Sequence, residues 1–246
     1  MHWSHTFYEQ QDRLTGYYSQ PIHPFHTALA ARVTAHRGRP GTLLELGAGG
    51  GQFATAAALA GHTVTALDLY RRGGEHARRL AAGHGVAAAV RTVTGDFYTA
   101  DPGGPFGTVC CWDGFGIGED ADQRFLLSRV ARWLPEGAAA YVGVYTPWYW
   151  AQHAGFTRHT EGYTQTYGFD ADGCRMLDTY APTAAPALTQ SLRCSSPADL
   201  RLLLPGTGLT LADVWAGGAY HTQAGVYQPQ VSLGECMSDV AVLQRG

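Results

Sequence analysis

Four glycines in five positions, Gly47, Gly49, Gly50 and Gly51, stand directly behind the short apolar run TLLEL. Glycine lets a ligand approach the backbone and tolerates positive φ, and it costs entropy to fix in place. So many together imply a loop held open for something to lie against. Two acids follow at later strand ends, Asp68 in TVTALDL and Asp96 in GDF. A strand, a glycine turn, a helix and an acid closing the next strand make a nucleotide-binding layout, in which backbone amides come close to the ligand and the carboxylate accepts from ribose hydroxyls. The dinucleotide version, G-x-G-x-x-G starting at Gly47, requires glycine where Gln52 stands. That departure speaks against a dehydrogenase. All 17 basic residues are arginine, which removes both a Schiff-base lysine and the lysine of a triphosphate-binding loop.

The elements that must position these residues follow from the hydrophobic pattern. HTALAARVTAHRG carries Leu29, Ala30 and Val33 at helical spacing and leads into the core. TLLEL is a buried strand, QFATAAALAG a helix stopped by Gly61, TVTALDL a second strand, and RGGEHARRLAAGHG a second helix of this series. A third strand ends near Asp96, FGTVCCWDGFG holds a fourth, DADQRFLLSRVARWLPEG is a long amphipathic helix, and AAAYVGVYT is a fifth strand. Strands alternating with helices at this spacing predict a doubly wound, mostly parallel α/β sheet covered on both faces. From about 147 to 196 the pattern changes to polar-apolar alternation with turn residues, an antiparallel insertion beside the sheet. SPADLRLLLPGTG then reads as a helix with Ser196 as N-cap, and LTLADVWAG and SDVAVLQR as two closing strands, seven in all. The expected divisions are 1–40 as an aromatic cap with its lead-in helix, 41–146 with 197–246 as the binding domain, and 147–196 as a subregion for substrate or dimer contacts.

Composition narrows the partners. The 246 residues are 45% hydrophobic, enough for a sizeable core, and a net charge of -3 leaves no footprint for a polyanion. Five cysteines without C-x-x-C spacing indicate neither a zinc site nor a disulfide framework. No stretch has the length of a membrane span and the first residues lack a signal-peptide pattern, so the expectation is a cytoplasmic protein with a small-molecule substrate, no nucleic acid and no membrane. A homodimer is one assembly the insertion would serve. Asp170 and Asp172 in GFDADG lack the rest of a calcium loop and read as a turn.

ELGAGGG, Asp68 at the next strand end and GDF at the third together resemble the class I S-adenosylmethionine-dependent methyltransferases, strongly over 43–145 and loosely at the closing strands. The resemblance implies a Rossmann-like sheet and S-adenosyl-L-methionine as cofactor. It implies that Glu45, Gly47, Ala48 and Gly49 lie along the methionine part, Asp68 binds the ribose diol with Leu69 against adenine, and Asp96 accepts the adenine amino group with Phe97 beside it. Trp112, ending the fourth strand, would touch the amino-acid portion. The N-terminal aromatics Trp3, Phe7, Tyr8, Tyr17 and Tyr18 resemble the cap of small-molecule N-methyltransferases of actinomycete natural-product pathways. By that likeness Tyr8, Tyr17 and Phe115 would surround the methyl group and its acceptor.

Such a reaction requires alignment of a nucleophile with an activated carbon and exclusion of water, and it requires no metal. Aromatic faces attract an onium charge by roughly 0.5–2 kcal/mol, which suits Phe115 and Tyr145, expected beyond the strand ends. Asp113 orients an acceptor amine or is an exposed loop acid. His23, His26, His153, His159 and His221 lie in segments that roof the site, and no base is singled out among them. Arg175 binds a substrate carboxylate or makes an internal ion pair. The function expected is methyl transfer to nitrogen, less readily oxygen, of a small natural-product precursor. Two alternatives stay open: cyclisation of the cofactor itself to azetidine-2-carboxylate with loss of methylthioadenosine, and a non-catalytic cofactor-binding regulatory subunit.

Overall fold

The computed structural model describes residues 2–246, with side chains from residue 4 onward; the side chain of Trp3 lies outside the described residues. The chain begins with helices α1 (His2–Thr15) and α2 (Pro24–Arg37), separated by a 3₁₀ turn at Tyr17–Ser19. The alternating series follows: β1 (Thr42–Leu46), α3 (Gln52–Leu59), β2 (Thr63–Asp68), α4 (Arg71–Gly83), β3 (Val90–Thr94), β4 (Thr108–Cys111), α5 (Asp120–Trp133) and β5 (Ala139–Tyr145). Next come α6 (Pro147–Gln152) and four strands, β6 (Thr157–His159), β7 (Tyr163–Asp170), β8 (Arg175–Pro182) and β9 (Leu188–Arg193). The chain closes with α7 (Pro197–Leu203), β10 (Leu209–Ala216), the hairpin β11 (Ala219–His221) and β12 (Val226–Gln228), and β13 (Ser238–Arg245).

Seven strands form one sheet in the order β10-β13-β5-β4-β1-β2-β3. The five strands β3, β2, β1, β4 and β5 are parallel, and β13 runs antiparallel between β5 and β10. This is the α/β class expected. β1 is buried in all but its first residue because helices cover both faces: Leu44 and Leu46 join the core under α5 and α7, and Leu43 joins the one under α2 and α3. A leucine buried this completely contributes roughly 1.5–3 kcal/mol. α5 turns Leu126, Leu127, Val130 and Ala131 inward, and Glu119 and Asp122 cap its start as a reciprocal box. α3 is almost wholly buried and alanine-rich because it is wedged between neighbours. A Cβ on Gly51 would fall inside contact distance of the Ala77 Cβ on α4, so glycine sets that helix spacing.

The insertion β6–β9 is a separate antiparallel sheet in sequential order, as the alternation predicted. Ser196 caps α7 through its side chain, accepting from the Asp199 N–H. Three elements escape the periodicity. α1 has no apolar stripe to read, because its inner face mixes types and buries Ser4 and Gln11 together with Phe7. α6 starts at Pro147, whose fixed φ suits a first helical position, within what reads as a loose aromatic run. The β11–β12 hairpin is short, with Val226 and Tyr227 exposed. No helix among the described residues is long and apolar enough to cross a membrane.

Candidate functional site

Strand order reverses between β1 and β4, and a crevice opens at their carboxyl ends, the position where open α/β sheets hold ligands. The glycine loop after β1 forms one side. Gly47 has φ +67, and a Cβ there would meet nothing within 4 Å, so this glycine is required for its backbone and leaves the space before it open. Its N–H and that of Ala48 donate to the Leu67 carbonyl at 2.9 and 3.2 Å, tying the loop to β2. Asp68 is held from two sides, accepting from the Gly49 N–H at 2.7 Å and the Tyr70 N–H at 2.6 Å. Burial raises its carboxyl above the usual range, and these two donors oppose the rise.

The next glycines serve a different neighbour. The Tyr18 ring lies against Gly49, where a Cβ would come within 2.8 Å of a ring carbon, and the Tyr18 carbonyl occupies the space a Gly50 side chain would need. Gln52 donates through Nε2 to the carbonyls of Tyr17 at 3.2 Å and Gln20 at 3.0 Å. The residue that breaks the dinucleotide motif is therefore the one that ties the N-terminal cap to the loop. Asp12 completes the clasp, accepting from the Tyr18 N–H at 3.1 Å and the Tyr70 hydroxyl at 3.2 Å.

Two cavities meet here. The smaller, 90 Å³, is lined by Asp68, Leu69, Asp96 and Phe97 among others. The larger, 620 Å³, runs past Glu45, Ala48, Gly49 and Trp112 to the inserted sheet. Tyr8, Tyr18, Gly47 and Asp113 line both, so the two cavities adjoin at these residues, a boundary we call the neck. Two buried polar atoms on the wall of the larger cavity have no partner: Glu45 Oε2, on a residue only 2% exposed, and the Trp112 Nε1–H. One is an acceptor and the other a donor. A ligand carrying both an ammonium and a carboxylate, as an amino acid does, would satisfy the pair. Burial, with Asp68 nearby, raises the Glu45 carboxyl well above its ordinary range.

At the neck, Tyr145 donates its hydroxyl to Asp113 Oδ1 at 3.1 Å. Asp113 is exposed to the cavity by its surface area but closely surrounded by protein atoms, and that burial raises its carboxyl while the Tyr145 bond lowers it. The far wall is one face of the insertion. Asp178 and Tyr180 alternate inward on β8, Gln165 stands on β7 and Gln190 on β9 opposite Asp178. The Tyr8 hydroxyl accepts from Gln190 Nε2 at 2.8 Å, and the Tyr180 hydroxyl accepts from Gln11 Nε2 at 3.1 Å, so α1 is bonded to the inserted sheet across the cavity. Burial pushes the Asp178 carboxyl up to about 6, against the lowering effect of Gln165, Tyr180 and Arg158.

Tyr8, Tyr17 and Tyr145 thus all line the larger cavity. Phe115 does not, and its expected place around the acceptor is corrected: it is 2% exposed in the core under α5 and lines neither cavity. The turn after β4 folds back toward α5, where the Gly116 N–H donates to Gln123 Oε1 at 2.9 Å, and this carries the ring inward. Of the five histidines, His23 and His26 reach the cavity wall, and each accepts a backbone N–H through Nδ1 at the start of α2. His153 stacks on Tyr149, and His159 and His221 bond to Thr164 and Gln228 within their own hairpins. Arg175 makes neither expected contact; its guanidinium donates to Ser191 and to the carbonyls of Gly116 and Gly118. Asp170 accepts from the Asp172 N–H in a turn. Tyr18 and Asp178 were missing from the sequence reading as cavity residues. The signal for Asp178 was an acid within an otherwise inward-facing series, Met176, Asp178, Tyr180.

A family model described as a methyltransferase domain matches residues 43–137. No curated protein matches the chain. Among solved structures, the CcbJ methyltransferase from Streptomyces caelestis superposes with a TM-score of 0.72 at 20% identity, over 93% of this chain and 92% of that one. An S-adenosylmethionine-dependent methyltransferase from Clostridium acetobutylicum gives 0.72 at 14% identity, over 98% of each. An amino pentose methyltransferase from Micromonospora echinaspora, involved in calicheamicin biosynthesis and solved with S-adenosylmethionine bound, gives 0.59 at 19% identity, over 97% and 96%. At these identities the likeness establishes a shared fold.

Proposed function

We propose, from the match of residues 43–137 to a methyltransferase domain model, that the chain is a class I S-adenosylmethionine-dependent methyltransferase acting on nitrogen of a small natural-product precursor. The observation that carries this reading is the pair of joined cavities, with an unpartnered acceptor and donor, Glu45 Oε2 and Trp112 Nε1, on one wall. Those atoms fit the ammonium and carboxylate of a methionine moiety, with Gly47, Ala48 and Gly49 alongside it. Asp68, already fixed by two backbone donors, has lone pairs left for a ribose diol. Leu69, Asp96 and Phe97 line the small cavity, where an adenine would be flanked by Leu69 and Phe97 and accepted by Asp96.

When bound, the cofactor supplies a methyl group on a sulfonium. The chain's own residues supply position and dryness. Tyr8, Tyr18, Gly47 and Asp113 stand where the two cavities adjoin, and they would align an acceptor entering from the larger side with a cofactor held across both. The rings of Tyr8 and Tyr145 line that side and exclude water, and the more exposed Tyr17 lines it with them. Asp113, oriented by the Tyr145 hydroxyl, holds an amine N–H. Transfer to nitrogen is favoured because His23 and His26 use Nδ1 in capping α2. An amine also reaches its neutral, nucleophilic form by losing a proton to water, while an alcohol would require a positioned base.

The larger cavity continues to the inserted sheet and has room for an acceptor, which supports intermolecular transfer over cyclisation of the cofactor. The test is incubation with S-adenosylmethionine, alone and with a panel of small amines, followed by mass spectrometry. S-adenosylhomocysteine formed only with an amine, together with an acceptor heavier by one methylene, is the expected result. Methylthioadenosine with a cyclic amino acid from the cofactor alone would replace this reading with the cyclase. Stoichiometric binding without turnover of any amine would replace it with the regulatory subunit.

A further inference from the structure

The wall that the inserted sheet gives to the large cavity holds a buried acid that the transfer chemistry above does not use. Asp178 is 7% exposed. It accepts from Gln165 Nε2 at 2.8 Å on Oδ1 and 2.9 Å on Oδ2, and from the Tyr180 hydroxyl at 3.0 Å. All of these partners are neutral. Arg158, the nearest cation, gives its Nη2 to the Gln165 carbonyl oxygen at 2.6 Å. Gln190, opposite on β9, is turned to Tyr8.

A buried carboxylate with no cation in contact is a costly arrangement, and an ion of opposite charge seated on it removes most of that cost. Three donor contacts leave part of its lone-pair capacity unused, and Asp178 lines the cavity where that capacity can be reached. The rest of the wall has the same preference. Glu45 and Asp113 are on it, no arginine is, and the chain has no lysine. Tyr17, Tyr167 and Trp150 also line it, and their ring faces attract a cation.

We propose that Asp178 is a specificity-determining residue that holds an ammonium group of the acceptor, so that the substrate is a cationic amine rather than a neutral or anionic molecule. This rests on the methyltransferase reading, since it takes the cavity beyond the neck as the acceptor's. Gln165 and Tyr180 aim the carboxylate, and Arg158 acts through Gln165 without neutralising it. With the cofactor site filled, an anionic acceptor meets Asp113 and Asp178 and no arginine or lysine on the wall.

The experiment is calorimetric and has two stages. Binding of S-adenosylhomocysteine is measured first; its absence would remove the methyltransferase reading and this proposal with it. With that ligand saturating, benzylamine, benzyl alcohol and benzoate, matched in shape and differing in charge, are titrated into the wild-type protein and Asp178→Asn. The expected result is benzylamine at least tenfold tighter than the alcohol and no benzoate binding. In Asp178→Asn that preference falls to within twofold while S-adenosylhomocysteine affinity is kept. Equal or weaker binding of the amine in the wild type, or a preference that survives Asp178→Asn, overturns the assignment of Asp178 and leaves the methyltransferase reading standing. If the variant does not fold, the wild-type ranking of the three probes decides, and Tyr180→Phe, which keeps the carboxylate, is expected to retain the amine preference.

Discussion

Asp68 accepts two backbone N–H groups before any ligand arrives, so its carboxylate is oriented at no cost when a ribose binds. A hydrogen bond to a charged group contributes roughly 1.5–3 kcal/mol, and 1.4 kcal/mol is about a factor of ten in affinity. Asp68→Ala is therefore expected to weaken S-adenosylhomocysteine binding by more than about tenfold in a calorimetric titration. An unchanged dissociation constant would remove Asp68 from the site. Asp239 poses a different residue-scale problem. Both of its carboxylate oxygens are buried without a partner, and burial pushes its carboxyl up to about 7. The folded form holds its proton more tightly than the unfolded chain does, so the contribution to stability is complete below the unfolded value near 3.8 and is lost as pH rises through about 7. Asp239→Asn keeps the shape without the charge. Thermal melts should show the variant gaining on the wild type between pH 4 and pH 7, and parallel melting curves across that range would contradict the assignment.

At the scale of elements, the cap and the glycine loop are one unit. Gly50 adopts no left-handed conformation, yet a Cβ there would collide with the Tyr18 carbonyl. Gly50→Ala is expected to lift the 3₁₀ turn off the loop at a cost of about 1–3 kcal/mol, in the range of overpacked sites. Limited proteolysis should then cut after Arg13 faster than in the wild type, and equal rates would mean that the turn is held elsewhere. Here the sequence was legible in its motif and silent about its reason. β1, α3, β2 and Asp68 could be read from periodicity and glycine spacing, whereas Gln52 read only as a failed dinucleotide motif. Its role depends on the carbonyls of Tyr17 and Gln20, residues brought to it by the fold. Phe115 shows the reverse error. An aromatic after β4 suited a cavity wall, but the turn at Gly116 places it in the core.

Across the whole molecule, the N-terminal helix and the inserted sheet, far apart in the chain, enclose the larger cavity together. Tyr8 with Gln190 and Gln11 with Tyr180 bond directly between them. Ligand binding that settles Tyr18 at the neck should therefore be felt across this closure. Hydrogen exchange is expected to slow in 4–20 and in β9 when S-adenosylhomocysteine is added, together with the glycine loop; protection confined to the loop would mean that the cap closes independently of the ligand. The sequence by itself determined the parallel α/β core, the glycine turn and the acids Asp68 and Asp96, because alternating buried strands and a turn that excludes side chains are local constraints written in residue type. The tertiary structure alone decided which polar residues share a cavity. Tyr8, Asp113 and the strand pair Asp178 and Gln190 come from three separate stretches of the chain and carry no common periodicity, and only the packing of α1 and the inserted sheet over the strand ends makes them one surface.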